Sequence, residues 1–271
     1  MRGSSRASAA AAQAALDAAL TPKADSTSLG EELFAVTAVI DSSASLRRAL
    51  ADPSREGQAK RALASSLFGG KVSATAASLV EESVAGRWAA ERDLTDTLES
   101  LAVQSVLASA ERSGHIDRVK DELFRFERIV ASDAGLRDAL SARSTDGAGK
   151  ATLVRTLLEG KAAPETVRLA EQAAKAPRGR RLDQVLATYL ELAATRRDEL
   201  SAVVTVANPL TQQQAARLRS ALEGIYAKPV TLQTVLDPTV MGGIRVQIGD
   251  EVVDGTVIRR LDEARRHVTG S

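Results

Sequence analysis

The chain contains no cysteine. That excludes a disulfide framework, a zinc–thiolate centre and a thiol nucleophile. Histidine is almost as scarce. His115 and His267 are the only two, too few for a histidine-based metal site. His115 follows Gly114 just past an expected helix end and reads as a cap or a solvated loop residue. His267 falls in a final helical turn, where a cation suits the helix dipole. No Gly-x-Ser-x-Gly elbow occurs, so a hydrolase triad has no evident nucleophile. Neither sign of charge dominates: 36 Lys and Arg against 35 Asp and Glu leave +1. A dedicated nucleic-acid binder needs an excess of cations to displace phosphate counterions, and this chain has none. No apolar run reaches membrane-spanning length. The alanine-rich stretch Met1–Leu20 is interrupted by Gln13 and Asp17, too polar for a secretory core, and reads as a short helix. Aromatic residues make up only 3%. Cores must then be built from alanine, leucine and valine, whose small side chains let helices approach closely.

The few motifs that suggest chemistry do not carry it. Gly69-Gly70-Lys71 lacks the four-residue spacing and the leading strand of a phosphate loop. Glu31-Glu32 and Glu81-Glu82 are sequence neighbours, which a helix points about 100° apart, so they read as solvated faces. Arg178, Arg180 and Arg181 follow Pro177 and form either a patch for an acidic partner or an ordinary charged loop. Trp88, the sole tryptophan, is either a core anchor or an interface hot spot. No catalytic residue, cofactor, metal or small-molecule substrate is expected, so function must lie in surfaces.

What is present is a repeat. Leu46-Arg47-x-Ala49-Leu50 recurs ninety residues on as Leu136-Arg137-x-Ala139-Leu140. The spacing holds for Ser54 and Ser144, Gly57 and Gly147, Lys60 and Lys150, Leu63 and Leu153, Leu67 and Leu157, and Gly70-Lys71 and Gly160-Lys161. Helix breakers match in position, which alanine-rich composition alone does not produce, so one structural unit is used twice. Apolar spacing predicts helices at 7–20, 29–42, 46–51, 58–68 and 74–85, with the pattern from Arg87 to Arg112 leaving room for one continuous helix joining the units. Further helices are expected at about 119–130, 133–142, 147–159, 164–174 and 181–199. The expected architecture is mainly α with a small α/β C-terminal domain: a helical unit over 1–93, a six-helix bundle over 94–199 and a mixed α/β domain over 200–271.

The C-terminal run is the most specific part. Asp237-Pro238 ends a strand and opens a turn. Gly242-Gly243 permits torsions closed to other residues. Ile244, Val246 and Ile248 alternate with Arg245 and Gln247, as in a half-buried strand. Gly249-Asp250 turns the chain back through Glu251–Val253. Asp254 or Thr256, either side of Gly255, then caps a helix with Val257, Leu261, Ala264 and Val268 on one stripe and Arg259 and Arg260 mostly outside it.

This string resembles the C-terminal signature of the delta subunit of bacterial F-type ATP synthase, a relative of the mitochondrial oligomycin-sensitivity-conferring protein. The resemblance extends upstream through the strand at 200–210, the helix 212–226 and the strand 228–236, and more weakly to about residue 94. Thr256 stands where the family more often has serine; both cap. The leading 94 residues are absent from most of the family, although similar extensions occur in actinobacterial delta subunits.

The resemblance implies a non-catalytic stator subunit at the cytoplasmic face of the cell membrane, peripheral and without membrane insertion. Its helical bundle would grip N-terminal segments of the alpha subunits, and its C-terminal domain would hold the ends of separate b subunits. The alpha groove would run between Leu98–Arg112 and Glu165–Ala174, lined by Leu101, Ser105, Ala108, Arg112, Thr166, Ala170 and Ala173, with its small residues facing outward. The b-subunit contact, or the signature itself, would use Gly242, Gly243, Gly249, Asp254, Gly255, Arg259 and Arg260. A free-standing helical adaptor unrelated to ATP synthesis is the alternative, but it gives no reason for the C-terminal glycines to occur together.

Overall fold

The computed structural model describes residues 3–21, 24–142, 145–196, 200–226, 229–240, 243–248 and 251–254. Among them are eleven helices before the first strand: α1 Gly3–Ala19, α2 Ser26–Ser42, α3 Ala44–Ala51, α4 Gly57–Phe68, α5 Ala74–Ala85, α6 Glu91–Arg112, α7 Ile116–Ser132, α8 Ala134–Ser141, α9 Gly147–Leu158, α10 Pro164–Lys175 and α11 Leu182–Arg196. Then come β1 Leu200–Val206, α12 Gln212–Tyr226, β2 Val230–Leu236, β3 Ile244–Ile248 and β4 Glu251–Asp254. The mainly α fold with a small α/β C-terminal part is the expected one. The chain divides into two compact units, Met1–Leu192 and Ala193–Ser271. The boundary drawn from the repeat, between residues 93 and 94, falls inside α6.

Helix ends are set by local chemistry. Asp25, Ser43, Ser73, Asp133 and Asp146 each accept a backbone N–H with a side-chain oxygen at a helix start. Such a cap stabilises a helix by about 1 kcal/mol. At the end of α6, Gly114 adopts φ 68°, and the N–H of His115 reaches back to the carbonyl of Ala110 at 2.7 Å. That is a left-handed glycine stop, which a residue with a Cβ adopts only with strain.

The ninety-residue repeat is a repeat of structure. Arg47 donates to the carbonyl of Asp41, and Arg137 donates to the carbonyl of Ala131. Glu32 accepts the N–H of Ser73 at 2.9 Å, and Glu122 accepts the N–H of Ala163 at 2.8 Å. Gly70 and Gly160 both take positive φ, at 70° and 73°. Gly57 abuts the carbonyl of Ala85, and Gly147 abuts that of Lys175.

The same offset carries α1 onto α6 and α6 onto α11. One helix therefore ends the first repeat and opens the second. It is buried nearly all round, from Leu94 and Thr95 through Ala110, because α1, α2, α3 and α5 pack on one side and α7 and α10 on the other. An amphipathic stripe is accordingly weak in α6 and strong in α7, which has one wet face.

In the second unit the strand order is β2-β1-β3-β4. β1 runs parallel to β2 through the α12 crossover and antiparallel to β3, with Val204 opposite Thr234 and Val246. Ala202, Val204, Val206, Val230 and Val246 form a core with Leu222 of α12. Asp237 closes the turn after β2, its carboxylate accepting from the Thr239 N–H at 2.9 Å and the Thr239 hydroxyl at 2.6 Å.

Candidate docking surfaces

The arginines after Pro177 do not form a patch for an acidic partner. Arg178 sits at φ 55°, a backbone region that costs non-glycine residues on the order of 1–2 kcal/mol. That conformation aims its guanidinium inward. Nε donates to Asp41 at 2.7 Å, and Nη1 lies 2.7 Å from Glu99 and 2.9 Å from Asp96. Nη2 also reaches the Thr95 hydroxyl. Arg180 grips both oxygens of Glu99, at 2.7 and 2.6 Å, and the Tyr189 hydroxyl donates to Glu99 at 2.9 Å. Burial opposes the charge on Arg178, but the bond to Asp41 and the nearby Glu99 and Asp96 carboxylates outweigh it and hold the guanidinium above its ordinary value. Burial, reinforced by Glu99, pushes the Tyr189 hydroxyl well above the usual phenol range, so it stays a donor. Burial also raises Asp96, against the pull of Arg178. Of the three arginines only Arg181 stays largely exposed, paired with Asp183. Sequence inspection missed Glu99, which lies among the leucines of α6, and Asp41, which is 137 residues from Arg178 with no local sign of the pairing.

This cluster ties α2 to the end of α10, and two further contacts extend the tie. Thr27 donates to the Ser109 hydroxyl at 2.9 Å, and Ser109 reaches Glu165 at 3.4 Å. Glu31 of α2 and Arg168 of α10 form an ion pair. A methyl group placed on Gly30 would lie 2.8 Å from Val106 and 3.0 Å from the Ala102 carbonyl, so α2 and α6 touch backbone to backbone there. From Thr27 to Asp41, α2 thus lies along the seam between α6 and α10.

That placement bears directly on the expected groove. Leu101, Ser105 and Ala108 of α6 and Thr166, Ala170 and Ala173 of α10 are all buried within the chain. The small residues read as facing outward face inward: Ser105 donates to the Leu101 carbonyl, and Thr166 donates to Glu122 at 2.7 Å. Arg112 is exposed at the seam's edge, bonded to the Thr21 carbonyl at 3.0 Å and to the Ser26 hydroxyl. Ala170 and Ala173 belong to a helix whose apolar face is needed by its own bundle, and sequence alone cannot say which side of an alanine helix that is. Trp88 is a core anchor, 2% exposed, its Nε1 donating to the Ser83 carbonyl at 3.0 Å. Glu32 is no free solvated charge either, since it caps the start of α5 through Ser73.

In the C-terminal unit, Gly243 takes φ 128°, as the glycine pair required, and β3 and β4 form the expected hairpin. Asp254 ends β4 opposite Arg245. Gly242, Gly249, Gly255, Arg259, Arg260, His267 and the helix expected from Thr256 lie outside the described residues. Ile225, Leu236 and Val252 are exposed apolar side chains on this small unit. Leu210, Gln214, Arg217, Leu218 and Ile244 line a cleft between α12 and β3. Among the described residues no helix is long and apolar enough to cross a membrane, and no cluster of His, Asp and Glu could hold a metal ion.

Comparison with known proteins agrees with this reading. The family model "ATP synthase delta (OSCP) subunit" matches residues 103–268. The ATP synthase subunit delta of Kineococcus radiotolerans is 47% identical over 269 residues, 99% of this chain and 98% of its own. That of Streptomyces griseus is 45% identical over 271 residues, the whole of both chains. That of Nocardia farcinica is 43% identical over 272 residues, 99% of this chain and all of its own. The likeness to these relatives covers the N-terminal part of the chain as well as the residues the family model matches. The signature around Gly243 and the whole-length likeness lead to one conclusion: this chain belongs to the ATP synthase delta (OSCP) subunit family.

Proposed function

We infer that this chain is a peripheral-stalk subunit of an F-type ATP synthase, a non-catalytic part that keeps the catalytic head from turning with the rotor. The observation that carries the reading is the full-length likeness to delta subunits, joined to a fold whose buried charges serve cohesion. A stator part must transmit torque without yielding. The Arg178–Glu99 cluster and the shared helix α6 suit that task, because they fuse two repeats into one rigid unit.

The helical unit is proposed to hold the N-terminal segments of the alpha subunits, as an amphipathic helix laid against bundle helices. The C-terminal unit is proposed to hold the ends of the b subunits. Its exposed Ile225, Leu236 and Val252 and the cleft beside Ile244 supply apolar surface for that contact. The chain would then sit peripherally at the cytoplasmic face of the cell membrane, attached through the complex.

The test uses the tagged full chain. Pull-down from detergent-solubilised membranes should recover alpha and b chains, identified by mass spectrometry. Membranes stripped of the chain should hydrolyse ATP without pumping protons, and adding it back should restore pumping. Recovery of neither partner, or full coupling after stripping, overturns the reading.

A further inference from the structure

The charged junction between the repeats asks more of Arg178 than one guanidinium supplies. Each terminal nitrogen of that group carries two N–H donors. Nη1 of Arg178 faces three acceptors: Glu99 Oε2 at 2.7 Å, Asp96 Oδ1 at 2.9 Å and the Thr95 carbonyl at 3.3 Å. Nε is committed to Asp41, and Nη2 to the Thr95 hydroxyl. The contest between the two carboxylates for Nη1 is unequal. The Glu99 side chain is 5% exposed and also accepts from Arg180 and Tyr189. The Asp96 side chain is 44% exposed, and among the described residues its one ion-pair partner is Arg178. A buried carboxylate left without a donor costs more than one that reaches water, so Asp96 is the one that yields.

We propose that Asp96 is an acid-responsive latch at this junction: it takes up a proton as its surroundings acidify, and the two repeats are then held together more firmly. An ionised Asp96 draws the guanidinium toward solvent and repels Glu99. A protonated one does neither, and Arg178 is left wholly to Glu99 and Asp41. The charged and titratable groups around Asp96 are Arg92 and Glu99 of α6, Asp41 of α2, Arg178 and Arg180 of the loop before α11, and Tyr189 of α11. Only the arginines favour the ionised form. Burial disfavours it, as does Glu99, and together they hold the Asp96 carboxyl above its ordinary 3.8 against Arg178 and Arg180. The folded chain therefore takes the proton before the unfolded one as pH falls. Stability is absent above the folded value, is gained as the pH drops through it, and is complete below 3.8. Such a latch belongs to the chain itself, whatever its partners.

The test titrates the full chain labelled with carbon-13 at its aspartate carboxyls. The Asp96 signal, identified by its loss in Asp96→Asn, should titrate above 3.8. Hydrogen exchange gives the second readout. The amides of Arg180 and Val185 donate to the Pro177 and Arg181 carbonyls at 3.0 and 3.1 Å, and they report on the loop that Arg178 anchors. Asparagine copies the protonated carboxyl in shape and lack of charge. At neutral pH these amides should exchange several-fold more slowly in Asp96→Asn than in the parent, and the two chains should converge as the pH falls. Glu122 and Glu127 titrate as well, and comparing variant with parent at equal pH cancels them. An Asp96 titration at or below 3.8 overturns the latch. So does exchange that at neutral pH is equal or faster in the variant, or a difference that persists unchanged into acid.

Discussion

Arg178 and Glu99 meet at 2.7 Å with side chains 7% and 5% exposed, two opposite charges removed from water and joined across 79 residues of sequence. Glu99 is shared by Arg178, Arg180 and Tyr189, so removing it leaves several donors without their common buried carboxylate, a loss of about 3–5 kcal/mol. Glu99→Met should therefore lower the stability of the helical unit by about 3 kcal/mol, read as a lower denaturation midpoint. Arg178→Met should cost less, because Arg180 and Tyr189 still hold Glu99. A loss below about 1 kcal/mol for Glu99→Met would mean the cluster is mere decoration.

Matched glycines give an internal control. A methyl on Gly147 would come within 2.4 Å of the Lys175 carbonyl, whereas one on Gly57 would lie 3.0 Å from that of Ala85. Gly147→Ala should destabilise by about 1–3 kcal/mol and Gly57→Ala by less, since only the first requires backbone to move. Urea denaturation of the two variants decides it; equal effects would contradict the geometry.

Glu122 supplies a pH dependence. Burial pushes its carboxyl up, but bonds from Thr166, the Ala163 N–H and Arg118 outweigh that and hold it below its ordinary 4.5. The unfolded chain therefore takes up the proton first as pH falls. The stability contributed is complete above the unfolded value and is lost as pH drops through the folded one. Glu122→Gln should be less stable than the parent near neutral pH, and the gap should close as acidification carries the pH below the ordinary carboxyl value of 4.5 and through the lower folded one. A gap that stays constant from neutral to acid pH would assign the loss to shape and not to charge.

The α6–α10 seam should open when α2 is removed. A fragment covering 91–196 should bind a peptide copying residues 26–42, and Gly30→Leu in that peptide should abolish binding by blocking contact with Ala102 and Val106. Fluorescence anisotropy is the readout. Equal binding by both peptides would show that α2 does not seat as described.

Much of this was legible in the sequence because it is local. Helix ends follow from Asp25, Ser43, Ser73, Asp133 and Gly114, whose side chains or torsions act within a few residues of themselves. The alternation at 244–248 and the Gly249-Asp250 pair declared the hairpin, and Asp237-Pro238 declared the turn after β2. The repeat at fixed spacing announced two copies of one unit, and the C-terminal glycines announced the family.

The candidate surface was less legible. Ser105, Ala108, Ala170 and Ala173 read as an outward small-residue stripe, and they are buried. Alanine fits an interior as well as a close interface, so its presence carries no sign of which.

The amino-acid sequence by itself determined where helices and strands begin and end, and that the helical unit is duplicated. These follow from short-range torsions, hydrophobic period and residue inventory. Tertiary structure decided that α6 serves both repeats, that Arg178 turns inward to Asp41 and Glu99, and that α2 packs against α6 with Glu31 reaching Arg168 of α10. Those outcomes depend on which distant surfaces meet, and no local pattern encodes a meeting between residues 41 and 178.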